Sequence, residues 1–206
     1  MSIKNVIFDI GRVLVGYEWM DFVHALFDEE TAEAVTRAVW RTGYWHELDK
    51  AVLSDEEILN LFYSAEPKYK EEIKLAFDNV GQCVLRRDYA GEWIDSVKEK
   101  GYRVYYLSNY SHHLMQANPD ALYFLERMEG GVFSCDVKSI KPDHTIYEKL
   151  FDRYSLTPEE CLFIDDQEPN IQAARQLGMN AVQYIDYEQA RAETDRLPQI
   201  AENNKE

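Results

Sequence analysis

Apolar residues recur along this chain with two different periods, and the change of period divides it. Residues 3–8 form a short run, Val6, Ile7 and Phe8 at its end, apolar enough to be a buried strand. From about Met20 to Arg87 the spacing turns helical. Phe22, Ala25 and Leu26 share one face, as do Val35 and Val39; Ile58, Leu59 and Phe62 form another stripe, and Ile73, Phe77, Val80 and Val84 a third. Ser54, with Glu57 three residues on, predicts a capped helix start. This stretch reads as a bundle of about four helices inserted after the first strand.

Beyond Asp88 short apolar runs alternate with amphipathic segments. Trp93, Ile94 and Val97 predict a helix closed by Gly101 in a left-handed cap. Strands are expected at residues 104–107, 132–135, 161–164 and 181–185, with helices around 121–128, 145–151 and 171–178. Thr157, Pro158 and Glu160 predict a capped short helix before the third of these strands. Residues 188–206 are polar and interrupted by Pro198, and a loose attachment is expected. Such alternation predicts an α/β fold, a mainly parallel sheet with helices on both faces. Ligands of such sheets gather at the carboxyl ends of the strands. That rim would receive Asp9 from the first strand, Ser108 and Asn109 from the second, and Asp165 and Asp166 from a later one, with Lys141 on a nearby loop.

Composition narrows the field. The 206 residues are 46% hydrophobic, enough for one substantial domain plus an insertion. A formal charge of −16 argues against nucleic acid or an anionic membrane as partner. It still permits a small phosphorylated molecule where a cation reverses the local field. Cys83, Cys135 and Cys161 are scattered, which reads as a reduced cytoplasmic protein. Neither a signal peptide nor a membrane-spanning run is recognisable. A monomer or weak homo-oligomer is expected.

Carboxylates from separate strand ends are hard oxygen ligands that suit Mg²⁺. A hydroxyl, an amide and an ammonium beside them suit the oxygens of a phosphoryl group. In order, FDIGRVL, LSN, KPD and IDDQEPN resemble the motifs of the haloacid dehalogenase-like superfamily, over the chain up to about Tyr187. The resemblance implies a Rossmann-like core of residues 1–16 and 88–206, with residues 17–87 as a helical cap. It implies Asp9 as nucleophile, Ser108 and Asn109 as phosphate-binding groups, and Lys141 as the lysine that steadies charge. Asp9, the Gly11 carbonyl and Asp166 would hold Mg²⁺, supported by Asp165 and Asn170.

One position departs from the family's usual pattern. Most of its phosphatases carry a second Asp, two residues after the nucleophile, as general acid and base; here that residue is Gly11. His46 or Glu47, in the cap stretch YWHELD, could supply the leaving-group proton, as could a water. Arg12, Tyr17 and Trp45 are further candidates for contact with substrate or cap; Trp40, Tyr44, Trp45 and His46 could mark a substrate-facing patch, with core packing of a small bundle the plainer reading. Plainer roles exist for the rim residues as well: Ser108 and Asn109 as helix caps, and Lys141 as a solvated loop charge. His112 and His113 read as a polar helix start, because no His or Cys spacing accompanies them. The expected function is a Mg²⁺-dependent phosphatase of a small metabolite, a sugar phosphate foremost. A phosphosugar mutase, a 2-haloacid dehalogenase and a non-catalytic phosphate-ligand-binding protein are the alternatives.

Overall fold

The buried run Asn5–Phe8 forms β1, and every residue in it is buried. The computed structural model describes residues 2–200 of the chain. After β1 the chain turns through Arg12, in the left-handed region at φ 63°, and enters a short strand, β2 (Val15–Tyr17). Five helices follow: α1 (Trp19–Leu26), α2 (Glu29–Thr36), α3 (Trp45–Lys50), α4 (Asp55–Ala65) and α5 (Lys70–Asp78). A π-helical turn, Arg37–Arg41, links α2 to the approach of α3. Ser54 and Glu57 form the expected reciprocal cap at the start of α4. The return strand β3 (Val84–Arg86) pairs antiparallel with β2, Val15 opposite Arg86 and Tyr17 opposite Val84. This ribbon corrects the reading of the stretch as purely helical. It ties together the two ends of the insertion, next to the residues where the chain leaves and rejoins the sheet.

The rest alternates as expected: α6 (Tyr89–Glu99), β4 (Arg103–Ser108), α7 (His112–Ala117), β5 (Gly130–Phe133), α8 (Ser134–Val137), α9 (His144–Tyr154), β6 (Cys161–Asp165), α10 (Glu168–Gln176), β7 (Asn180–Gln183) and α11 (Tyr187–Asp195). The main sheet has the order β5-β4-β1-β6-β7, and all its pairings are parallel. Phe8 pairs with Tyr106 on one side and Ile164 on the other, so the residues just beyond these three emerge at one rim. Connections leave β1 and β6 towards opposite edges, which opens the crevice where such sheets bind ligands.

Several boundaries differ from expectation. Residues Pro119–Arg127 are a 3-10 stretch. Cys135 belongs to α8, because β5 ends at Phe133, and β7 ends at Gln183, leaving Ile185 exposed. Thr157 precedes a 3-10 turn without capping it through its side chain. The C-terminal segment is docked where a loose attachment was expected. Trp93 donates its indole N–H to Thr194 at 2.8 Å, Ala190 is buried, and Ile200 N–H donates to the Lys100 carbonyl at 2.8 Å. Residues 201–206 of that segment lie outside the described residues. Among the described residues no helix is long and apolar enough to cross a membrane.

Candidate active site

Asp9 is the residue directly after β1, and its N–H continues the sheet ladder by donating to the Ile164 carbonyl at 2.8 Å. Its Oδ1 accepts from Ile10 N–H at 2.7 Å and from Lys141 Nζ at 2.7 Å. Among the described residues Oδ2 accepts no hydrogen bond, and the side chain keeps 8% of its exposure. One oxygen is therefore clamped and the other is free. Burial pushes the Asp9 carboxyl up to about 7; Lys141 opposes this, and Asp165 and Asp166 add to it.

Lys141 is 3% exposed, which excludes a solvated loop charge. Its ammonium bridges Asp9 and, at 2.6 Å, Asp165 Oδ2. Burial acts against its charge, but Asp165 and Asp9 prevail and hold its pKa above the ordinary lysine value. Asp165 is wholly buried. It accepts from Asn170 Nδ2 at 2.9 and 3.0 Å and from Gln167 N–H at 2.8 Å. Asn109 holds Lys141 from the other side: its Oδ1 accepts from the Lys141 N–H at 2.7 Å, and its Nδ2 donates to the Lys141 carbonyl at 3.0 Å. Neither Ser108 nor Asn109 caps α7; Ser111 does, accepting from Leu114 N–H at 3.1 Å. Ser108 is buried, and its hydroxyl has no partner among the described residues.

One carboxylate oxygen each from Asp9, Asp165 and Asp166 lies within 4.8 Å of the others. Burial raises the Asp166 pKa too, and Asp165 adds to it. Three acidic oxygens crowded in a desolvated rim suit a hard divalent cation, which would relieve their mutual repulsion. Asp165 has both oxygens engaged, so Asp9 and Asp166 have the freer donors. Gly11 lies on the adjoining cavity wall.

That cavity has a volume of about 640 Å³ between the sheet rim and the helical insertion. Gly11, Arg12, Asn109, Lys141, Asp166 and Asn170 contribute from the rim; Tyr17, Trp40, Trp45, His46 and Asp49 contribute from the insertion. Asp9 and Ser108 are not part of its wall; Asp9 is linked to it through Lys141. Arg12 is exposed and stands 3.8 Å from Asp166 Oδ2. Glu47 does not line the cavity and pairs with Lys50 at 2.9 Å; Tyr44 does not line it either. Trp40 stacks on Trp45 with ring centroids 4.7 Å apart, so these rings both pack and form wall. A Cβ built on Gly11 would meet nothing within 4 Å. Apart from this site, His112 comes within 4.8 Å of Cys135 and Asp136, a grouping that linear spacing had not suggested.

Sequence reasoning missed Asp49, Tyr110 and Trp19 on this wall. Asp49 had a readable signal, since it lies four residues after Trp45 and shares the buried stripe of α3 with Leu48.

A family model of haloacid dehalogenase-like hydrolases matches residues 3–178, and the chain belongs to that family. D-ribitol-5-phosphate phosphatase of Bacteroides thetaiotaomicron is 27% identical over 193 residues, which is 88% of this chain and 91% of that protein. A HAD-like family hydrolase from Porphyromonas gingivalis superposes with a TM-score of 0.73 at 21% identity, covering 95% of this chain and 99% of the other. A HAD family enzyme from B. thetaiotaomicron, solved with magnesium and inorganic phosphate, gives a TM-score of 0.66 at 20% identity, covering 88% and 94%. The chain is a phosphatase-like hydrolase of this family.

Proposed function

We propose that this protein is a Mg²⁺-dependent phosphomonoesterase of a small metabolite, a sugar or sugar-alcohol phosphate, working through an aspartyl-phosphate on Asp9. The observation that carries this reading is the asymmetry of Asp9, with Oδ1 held by Lys141 and Ile10 and Oδ2 free. Oδ2 attacks phosphorus, the P–O bond to the substrate alcohol breaks, and the departing oxygen takes a proton from His46 on the cavity wall or from a water. Water then attacks the acyl phosphate, releasing inorganic phosphate and restoring the carboxylate. Lys141 neutralises phosphoryl charge, the unpartnered Ser108 hydroxyl donates to a phosphoryl oxygen, and Asn109 positions Lys141 through its backbone.

Asp9, Asp166 and the Gly11 carbonyl would hold the metal, with Asp165 and Asn170 in support. The ion supplies charge neutralisation on the transferring group. Residues 17–87 act as a cap over the core of residues 1–16 and 88–206, closing water out during the first step. Three free, buried cysteines suit a reducing, cytoplasmic setting.

The test is phosphate release from a panel of small esters, with and without Mg²⁺, by the native protein and Asp9→Asn. Release that needs the metal and falls at least about a thousandfold in the variant is expected. Metal-independent release, or equal release by the variant, would contradict the reading.

A further inference from the structure

Outside the cavity, a second group of donor atoms converges where α7 and α8 begin. His112 opens α7, and Cys135 and Asp136 lie in the short α8. A ring nitrogen of His112, the Cys135 sulfur and an Asp136 carboxylate oxygen all lie within 4.8 Å of one another. They meet because β4 and β5 are neighbouring parallel strands, with Ser108 opposite Phe133, so the helices that follow them start side by side. None of the three residues lines the catalytic cavity.

The fold makes little other use of these atoms. Among the described residues the His112 ring makes no hydrogen bond and Asp136 pairs with no cation; the one side-chain partner of Asp136 is the Cys135 thiol, 4.0 Å from its Oδ1. The neighbouring His113 differs, being held at both ring nitrogens, by Asp55 at 2.8 Å and by the Phe77 carbonyl at 3.0 Å. Cys135 is buried, while His112 and Asp136 are exposed. The sulfur thus forms the floor of a shallow surface site, and the other two donors form its open side.

The donor set selects its occupant. Mg²⁺ and Ca²⁺ take oxygen ligands, whereas imidazole, thiolate and carboxylate together suit Zn²⁺. Tetrahedral zinc, with bonds of about 2.0–2.3 Å, spaces its ligand atoms about 3.3–3.8 Å apart. Small rotations of the two exposed side chains would close the set around an ion, with water in the fourth position. Burial and Asp136 push the Cys135 thiol up to about 12, so it keeps its proton until an ion arrives. Binding forms the Zn–S bond and releases that proton to solvent.

The ion would tie together the segments that follow β4 and β5. Ser134, next to Cys135, accepts from Tyr110 N–H at 2.9 Å and donates to the Asp49 carbonyl of α3 at 2.6 Å. An ion beside it would reinforce a seam that the sheet rim shares with the helical insertion. We infer that His112, Cys135 and Asp136 form a Zn²⁺ site, separate from the metal position at Asp9 and Asp166, that braces α7 against α8.

Co²⁺, a spectroscopic stand-in for Zn²⁺, tests this on the whole chain. The acidic set at Asp9 offers only oxygen, so a thiolate-to-metal charge-transfer band reports the new site alone. The native protein should show that band, and Zn²⁺ should bleach it. Cys135→Ala should lack it, and His112→Ala, an exposed change, should bind Co²⁺ at least about tenfold more weakly. Zn²⁺ should also raise the melting temperature about 3 °C or more further in the native protein than in His112→Ala. Zinc held at the acidic set would stabilise both alike. No band in the native protein would overturn the inference. So would a band retained in Cys135→Ala, or equal affinity and equal thermal shifts in the native protein and His112→Ala. Should Cys135→Ala fail to fold, His112→Ala decides alone.

Discussion

On the sheet side of the cavity, Asp165 accepts from Lys141, Asn170 and Gln167, and Asn109 engages Lys141 with both ends of its amide. Elsewhere around the cavity, Asp49 of α3, Trp40 of the π-helical turn, Tyr17 of β2 and Tyr110 in the loop after β4 each keep a buried polar atom without a hydrogen-bond partner among the described residues. The first surface is preorganised, so the lysine reaches its place before any ligand arrives. The second is under-satisfied by the protein's own groups.

The comparison breaks most visibly at Asp165. Replacing it with Ala leaves a buried ammonium with one partner fewer, and removal of one member of such a pair destabilises by about 3–5 kcal/mol. Thermal denaturation should show a melting point lower by roughly 10 °C. An unchanged melting point would mean that the rim network contributes little.

Asp49 should act on stability in the opposite direction. Its carboxyl is raised to about 7 in the fold from an ordinary value of 3.8, so the native chain holds this proton more tightly than the unfolded one. The linked stability is present below the unfolded value and is lost as pH rises through about 7. Asp49→Asn lacks this slope. Its stability relative to the native protein should therefore climb between pH 4 and pH 8, by up to about 4 kcal/mol. Parallel denaturant-derived curves for the two proteins would contradict a strongly desolvated Asp49.

Gly11 sharpens the comparison from the rim side, because the space next to it is open. Gly11→Asp should fold with a melting point within about 2 °C of the native protein. It should raise kcat for poor leaving groups by about tenfold or more, as an added general acid would. No gain on poor leaving groups would mean that another group already supplies the proton. Glu47, paired with Lys50 away from the cavity, marks the small end of the scale: Glu47→Gln should change turnover by less than about twofold, measured on the same esters.

The juxtaposition of Asp9, Lys141 and the Asp165–Asp166 pair was legible in sequence, because strand ends and motif order both point to it; Ser108 is buried and does not line the cavity. The parallel sheet was legible for a related reason: its strands are short apolar runs between helical stripes. The ribbon of β2 and β3 was not legible, since strands of three residues, one of them containing Gly16, carry no measurable alternation. The docked α11 was hidden because its anchor, the Trp93 indole on Thr194, lies about a hundred residues away in sequence. The unpartnered polar atoms were hidden for a similar reason. Tyr17 stands on β2, Asp49 on α3 and Tyr110 in the loop after β4, and only the tertiary fold shows which buried polar atoms lack a partner.

The most direct test of the central claim is a rapid acid quench of the native protein with Mg²⁺ and a ³²P-labelled ester. Up to one hydroxylamine-sensitive phosphoryl group per chain, mapped to Asp9 and missing from Asp9→Asn, is the predicted result. Phosphate release at full rate with label on another residue, or retained label in Asp9→Asn, would contradict it.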